Sequence, residues 1–288
     1  MSGYYLQLMT NGIIAGAVYA LFAVGLTLVY GVFRFINFAH GELIAWGAYL
    51  TLAFSALIPF GAAIFPAVAL TVLIALTQER YVYAPLRKKT GITLLIASIG
   101  LSYFLRNGLR LLWGSDLQSF GFEAARGLVF FGITVSRTQI AMFLAAVIFL
   151  GFVWGLLRFT MLGKGLRAAA DSLELAEIVG IDMKKIRRAV WIISAVFAAS
   201  GGILIAIDTN LEPMMGIANL LKAFAAVLLG GAGNVWGALL GGLFIGIAEN
   251  LGVAFFSPGY KDAISFALII AILLFKPTGI FAIMKGMR

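Results

Sequence analysis

Residues 10–33 read TNGIIAGAVYALFAVGLTLVYGVF, an uncharged run with no proline. As a helix rising about 1.5 Å per residue it spans about 36 Å, enough to cross the hydrocarbon core of a bilayer. It is too long for the apolar part of a cleaved signal, and no Lys or Arg precedes Arg34, so no such signal is expected here. Gly12 and Gly16 stand four residues apart on one helical face, a spacing that lets helix backbones approach closely in lipid.

The composition of the other residues agrees with this first run. Of 288 residues, 62% are hydrophobic and 11% charged. A soluble domain is nearer half apolar and a quarter charged. The excess apolar surface has to face lipid or other helices, and it recurs along the whole chain, so a single membrane domain over 1–288 is expected. The chain has no cysteine and one histidine, His40. A disulfide framework and a thiolate metal site are excluded, and no metal site is expected. The formal charge is +9. In a membrane protein this reflects basic loops on the cytoplasmic side, so nucleic acid is not an expected partner.

Hydropathy places further spans near 42–58, 62–78, 92–113, 138–158, 189–207, 219–231, 236–256 and 262–276. The 219–231 segment is short enough to be re-entrant and 42–58 is marginal, so eight to ten embedded helices are expected, some short or broken. The fold class is all-α, a polytopic transmembrane bundle. Segments 34–41, 79–91, 159–188 and 277–288, with Arg158 and Lys276 at their edges, hold 15 of the 21 basic residues, Arg34, Lys285 and Arg288 among them. The loops 114–137 and 208–218 hold only Arg126 and Arg137. The basic side is therefore read as cytoplasmic, and nine crossings put the N-terminus outside and the C-terminus inside. Gly237, Gly241, Gly242 and Gly246 supply further small-residue contacts between helices.

Three constellations interrupt the apolar pattern. Residues 159–188 read FTMLGKGLRAAADSLELAEIVGIDMKKIRR. An Ala-rich helix fits here, with Asp171 or Ser172 as a cap, Gly180 as a stop and Asp182 capping the next helix. Stability gives such a helix no reason to lie outside the membrane. It reads either as a docking surface for a cytoplasmic partner or as a basic loop that sets topology. The second is Ile36–Glu42, which puts Asn37, His40 and Glu42 between two spans. It is either an interfacial turn with Asn37 capping the next helix, the favoured reading, or a buried polar motif on a pathway. The third is Leu229–Gly237, with Gly231, Gly233 and Asn234 at a break that is either a tight turn or an unwound segment near substrate. Arg106 and Arg110 share a face in the outer half of their span and are expected to meet Asp116 or to snorkel. Glu249, Asn250 and Lys222 are expected at interfaces. Gly163-Lys164-Gly165 lacks the Ser or Thr of a phosphate-binding loop, and no catalytic constellation is present, so the chain is not expected to be an enzyme.

Blocks along essentially the whole chain resemble the permease subunits of high-affinity branched-chain amino acid ABC importers. They are Asn11-Gly12, Ile36–Glu42, Glu79-Arg80 with Tyr83, Pro85, Leu86 and Arg87, then Gly163, Gly165, Arg167, Ala168, Asp171 and Gly180-Ile181-Asp182. Lys222-Ala223-Phe224, Gly230-Gly231, Gly233, Gly237-Ala238 and Gly241-Gly242 follow, and Tyr260-Lys261-Asp262, Ser265–Leu268 and Pro277–Ile280 complete the series. The resemblance implies a second homologous permease, two cytoplasmic ATPases that carry ATP and Mg, an external solute-binding protein, and residence in the bacterial cytoplasmic membrane. It places the ATPase-coupling segment at Gly163, Gly165, Arg167, Ala168, Asp171, Gly180 and Asp182. It makes Asn37, His40, Glu42, Gly231, Gly233 and Asn234 candidates for the translocation region. Substrates implied are branched-chain or related amino acids, with urea, amides or aromatic acids as the alternative. A stand-alone secondary transporter or channel is the competing class. It calls for buried carboxylates, whereas the carboxylates of this sequence fall mostly in expected loops.

Overall fold

The computed structural model describes residues 2–122, 127–130, 133–276 and 279. Arg126, Pro277, Thr278, Ile280, Lys285 and Arg288 lie outside the described residues. The helices are α1 (Ser2–Phe33), α2 (Ala39–Ser55), α3 (Phe60–Gln78), which runs through one π turn into the short α4 (Ala84–Leu86), and α5 (Gly91–Trp113). There follow α6 (Arg137–Phe159), α7 (Met161–Asp171), α8 (Leu173–Ile178), α9 (Met183–Asp208), α10 (Met215–Gly230), α11 (Val235–Gly252) and α12 (Lys261–Phe275). A small antiparallel hairpin, β1 (Leu128–Phe130) and β2 (Ile133–Val135), lies in the loop before α6.

Contacts between loops fix which helix ends lie together. At one end Arg34 donates to the Ala170 carbonyl at 2.5 Å, and the Gly233 amide donates to Thr27 Oγ1 at 2.9 Å. At the other, Gln7 bonds both backbone groups of Thr134, Gln118 pairs with Leu211, and Phe60 packs on Phe120 and Phe122. Among the described residues, nine helices alternate in direction between the two ends, α1, α2, α3, α5, α6, α9, α10, α11 and α12, and the first turns of α2 and α10 meet inside the bundle at Gly41 and Gly216. Segments 34–38, 79–90 and 160–182 share one end, here termed the basic end. The 219–231 segment is part of α10, a 16-residue apolar helix that begins at Met215 and runs towards the basic end.

Among the described residues, seven helices are long and apolar enough to cross a membrane unaided. α2 and α10, with 17 and 16 residues, are shorter and lie largely inside the bundle. α1 is apolar all round and almost wholly buried, the pattern of a central helix. α6 and α12 form the rim, with most of their surface outward.

Lipid tails are as apolar as leucine, so helices here gain little from the hydrophobic effect and associate through close packing and polar pairs. Glycine supplies the close packing. A Cβ on Gly246 would sit 2.3 Å from the backbone of Gly16, and one on Gly242 would sit 2.5 Å from that of Ala20. A quarter-turn around the same helix, a Cβ on Gly241 would meet the Ala226 carbonyl oxygen at 2.1 Å. The glycines of α11 thus form two faces, one against α1 and one against α10. α2 is wedged in similarly, with Gly47 against Ala199 of α9 and Gly41 against Gly216 of α10.

Candidate functional site

The Ile36–Glu42 turn is interior. Asn37, His40 and Glu42 are all completely buried, which replaces the interfacial turn favoured from sequence. Asn37 Oδ1 accepts from the Ala39 amide at 3.1 Å and from the Tyr83 hydroxyl at 2.8 Å. Tyr83 in turn stacks on Trp191, with ring centroids 5.0 Å apart. His40 Nδ1 lies 3.1 Å from Ser194 Oγ, and its ring packs on Gly25 of α1. Glu42 Oε1 accepts from Ser102 at 2.8 Å and from Arg106 through Nε at 3.1 Å and Nη2 at 2.5 Å. Glu42 Oε2 faces Gly216 on α10. Arg106 therefore neither snorkels nor meets Asp116. A carboxylate in a low-dielectric interior is costly unless paired, and the first turn of α2 presents Glu42 directly to this face of α5.

The Gly231–Asn234 turn joins α10 to α11 at the basic end. Gly231 and Gly233 adopt φ of 86° and 87°, where a side chain would be strained, and the Gly233 amide anchors the turn to α1. Asn234 occupies the N-cap position of α11.

The 159–188 segment forms two helices where one is expected. Thr160 caps α7 by accepting from the Gly163 amide at 3.0 Å, and Ser172 caps α8 by accepting from Leu175 at 3.3 Å. Gly180, at φ 88°, ends α8. Asp182 caps α9 through the amides of Lys184 and Lys185 at 3.0 and 3.2 Å, and the Lys185 amide in particular holds its carboxyl below the usual range. α7 is amphipathic and does serve stability. Leu166 and Ala169 are buried in the main core, and Gly163 and Gly165 sit directly on Leu157 and Ile186. Arg167 is exposed and bonds the Leu157 carbonyl. Ala168 lies half-buried on α7, Asp171 closes it, and Ala176 is the buried residue of α8. Leu175, Ile178 and Val179 face outward, the last two 79% exposed.

Sequence reasoning missed a cluster near the opposite end. Glu249, expected at an interface, is completely buried. It accepts from Tyr19 of α1 at 2.9 Å and from Ser265 of α12. Lys222 of α10 lies 3.7 Å from Glu249 and 3.0 Å from Asp262, and donates to Tyr19 at 3.3 Å. Lys261 donates to Asn250 at 3.1 Å. Lys222 forms part of the wall of a cavity of about 560 Å³, together with residues of α1, α6, α9 and α12. The spacing along the chain carries no hint of this, since Tyr19 and Glu249 are 230 residues apart. Two carboxylates, Glu42 and Glu249, are buried exceptions to the expectation that acids lie mostly in loops. Each is paired with a base, Arg106 and Lys222 respectively.

Residues 8–273 match the family described as branched-chain amino acid transport system, permease component. The chain is 35% identical to the high-affinity branched-chain amino acid transport system permease protein BraD of Pseudomonas aeruginosa, covering 96% of this chain and 95% of that one. It is 34% identical to the corresponding permease protein LivH of Escherichia coli with the same coverage, and 30% identical to a probable LivH of Methanocaldococcus jannaschii over 95% of this chain and 91% of that one. Among solved structures, PsaBC from Streptococcus pneumoniae in complex with Fab is similar in fold, with a TM-score of 0.51, 15% identity and coverage of 99% and 94%.

Proposed function

The chain belongs to the family of branched-chain amino acid transport system permeases, and from that premise we propose that it is the membrane-spanning subunit of an ATP-driven importer for branched-chain or related amino acids. The full-length similarity to BraD and LivH carries this reading. The setting proposed is a bacterial cytoplasmic membrane, with the basic end facing the cytoplasm. The partners proposed are a second homologous permease, two cytoplasmic ATPases and an external solute-binding protein. ATP and Mg belong to the ATPases.

In this reading α7 and α8 receive the ATPase. Three observations support it. The two helices lie at the basic end; α8 presents Leu175, Ile178 and Val179 outward next to Glu174 and Glu177; and α7 is seated on α6 and α9 through Gly163 and Gly165. Exposed apolar side chains on an extramembrane helix are suited to a partner's pocket. A displacement of α8 by the closing ATPases would pass through α7 into α6 and α9, because the glycine contacts leave no slack between them. Asn37, His40, Glu42 and the Gly231–Asn234 turn are proposed as parts of the translocation region that these movements rearrange.

The test is affinity isolation of the detergent-solubilised chain from its native membrane, with mass spectrometry of what accompanies it. Two ATPases and a second permease are expected. A chain that isolates alone and moves leucine in vesicles without ATP would replace the importer with a secondary transporter or channel.

A further inference from the structure

We infer that the cavity at the end of the bundle opposite the basic end is a binding site for a zwitterionic amino acid with an aliphatic side chain. The inference rests on the importer reading and adds to it a site and a mode of recognition. At about 560 Å³ the cavity lies within the usual range of small-molecule sites, roughly 300–1,000 Å³. Its walls carry both signs of charge. Lys222 stands on α10 and Lys261 at the start of α12, while Asp208 stands at the end of α9, within electrostatic reach of Lys261, and Glu212 in the loop that follows. Of these, Lys222 lies within α10 with a side chain 14% exposed, and a charge inside the bundle is costly and is retained where it does work.

The carboxylate partners of Lys222 divide into one fixed and one exchangeable group. Glu249 is completely buried, held by Tyr19 and Ser265, and stays in place. Asp262 has a side chain 60% exposed and lies on the cavity wall, 3.0 Å from the ammonium. An incoming carboxylate takes the place of Asp262 on Lys222, and the charge around Lys222 is unchanged by the exchange. The substrate ammonium goes to Asp208, where the C-terminal end of the 26-residue α9 adds the partial negative charge of its last carbonyls. Ile14, Val18, Met142, Ile205 and Met215 supply an apolar wall for the side chain. Urea or an amide can hydrogen-bond to Lys222 and Asp208 but brings neither charge, and a simple acid or amine brings one of the two.

The chain contains no cysteine, so single thiols can be introduced without background. Ala218→Cys lies within the cavity, Thr209→Cys at its edge, and Leu57→Cys serves as a remote exposed position. Each is made in the tagged full chain within its assembled transporter and labelled with a membrane-impermeant maleimide from the side of the hairpin. L-Leucine at about nine times its apparent Kd is expected to slow labelling at Ala218→Cys and Thr209→Cys about tenfold and leave Leu57→Cys unchanged. 4-Methylpentanoate and 3-methylbutylamine, which each lack one charge, are expected to protect far less. The inference is overturned by any of three results: no labelling at Ala218→Cys, unchanged rates with leucine, or equal protection by the two single-charge analogues. Leucine uptake by the same cells reports separately on the importer reading. Intact uptake with no protection rejects the site alone, and absent uptake in the unsubstituted transporter rejects the importer reading.

Discussion

Arg106→Met is the substitution whose consequence the structure defines most closely. The guanidinium donates twice to Glu42 Oε1, at 3.1 and 2.5 Å, with side-chain exposures of 8% and 0% for the two residues. Removing Arg106 leaves Glu42 with Ser102 as its remaining donor among the described residues, inside a packed bundle. Breaking one side of a buried pair costs about 3–5 kcal/mol, whereas replacing both partners by neutral groups of similar size is often close to neutral. At roughly 2–4 °C per kcal/mol for a chain somewhat smaller than this one, Arg106→Met is expected to lower the unfolding midpoint by roughly 6–20 °C. Glu42→Gln alone strands the arginine and is expected to cost a comparable amount. The double variant Glu42→Gln/Arg106→Met is expected to recover at least half of the loss. The assay is thermal unfolding of the detergent-purified chain, followed by intrinsic tryptophan fluorescence and by monodispersity on size exclusion. A single variant as stable as the parent, or a double variant with the sum of both losses, would refute the argument that these side chains stabilise each other in the interior.

Ile178→Asp and Val179→Asp, both on exposed positions, are expected to leave the unfolding midpoint unchanged while weakening ATPase docking by roughly 2 kcal/mol or more, about thirtyfold, read by co-isolation and by uptake. Charge reversal at Arg167 or Asp171 is expected to uncouple ATP hydrolysis from uptake with the fold intact; normally coupled transport would reject the docking assignment. Gly246→Leu is expected to destabilise the bundle by about 1–3 kcal/mol or more because the new side chain meets the backbone of α1. Gly100→Ala, where the added carbon meets open space, is expected to raise stability by roughly 0.5–1 kcal/mol, and thermal unfolding checks both. The Asp182 cap depends on its carboxylate. Because its folded pKa is lowered, the cap's contribution is present above the unfolded pKa and is lost as pH falls through the folded one. Protection of the Lys184 and Lys185 amides, relative to their intrinsic exchange rate at each pH, is expected to fall over that acidic interval and to be low throughout in Asp182→Ala.

The sequence alone was enough to place the nine apolar helices, within a few residues at most ends, and to identify the basic end, while leaving open whether 219–231 crosses the membrane. Both follow from local quantities: the run of apolar residues needed to span hydrocarbon, and the count of Lys and Arg between runs. The caps at Ser172 and Asp182 and the stop at Gly180 were also legible, because each acts on a backbone group two or three residues away. The glycine pattern of α11 was visible, but its division between α1 and α10 was not, since that depends on which helices flank it. What only the tertiary structure decided were the pairings of ionisable groups. Arg106 reads as a snorkelling residue when its own helix is considered, and Glu249 as an interfacial one. Their partners, Glu42 and Lys222 with Tyr19, lie on other helices, 64 residues away for Arg106 and 230 for the Tyr19–Glu249 bond. Hydropathy and spacing report the cost of placing a charge near the membrane, but the group that offsets this cost is brought there by helix packing.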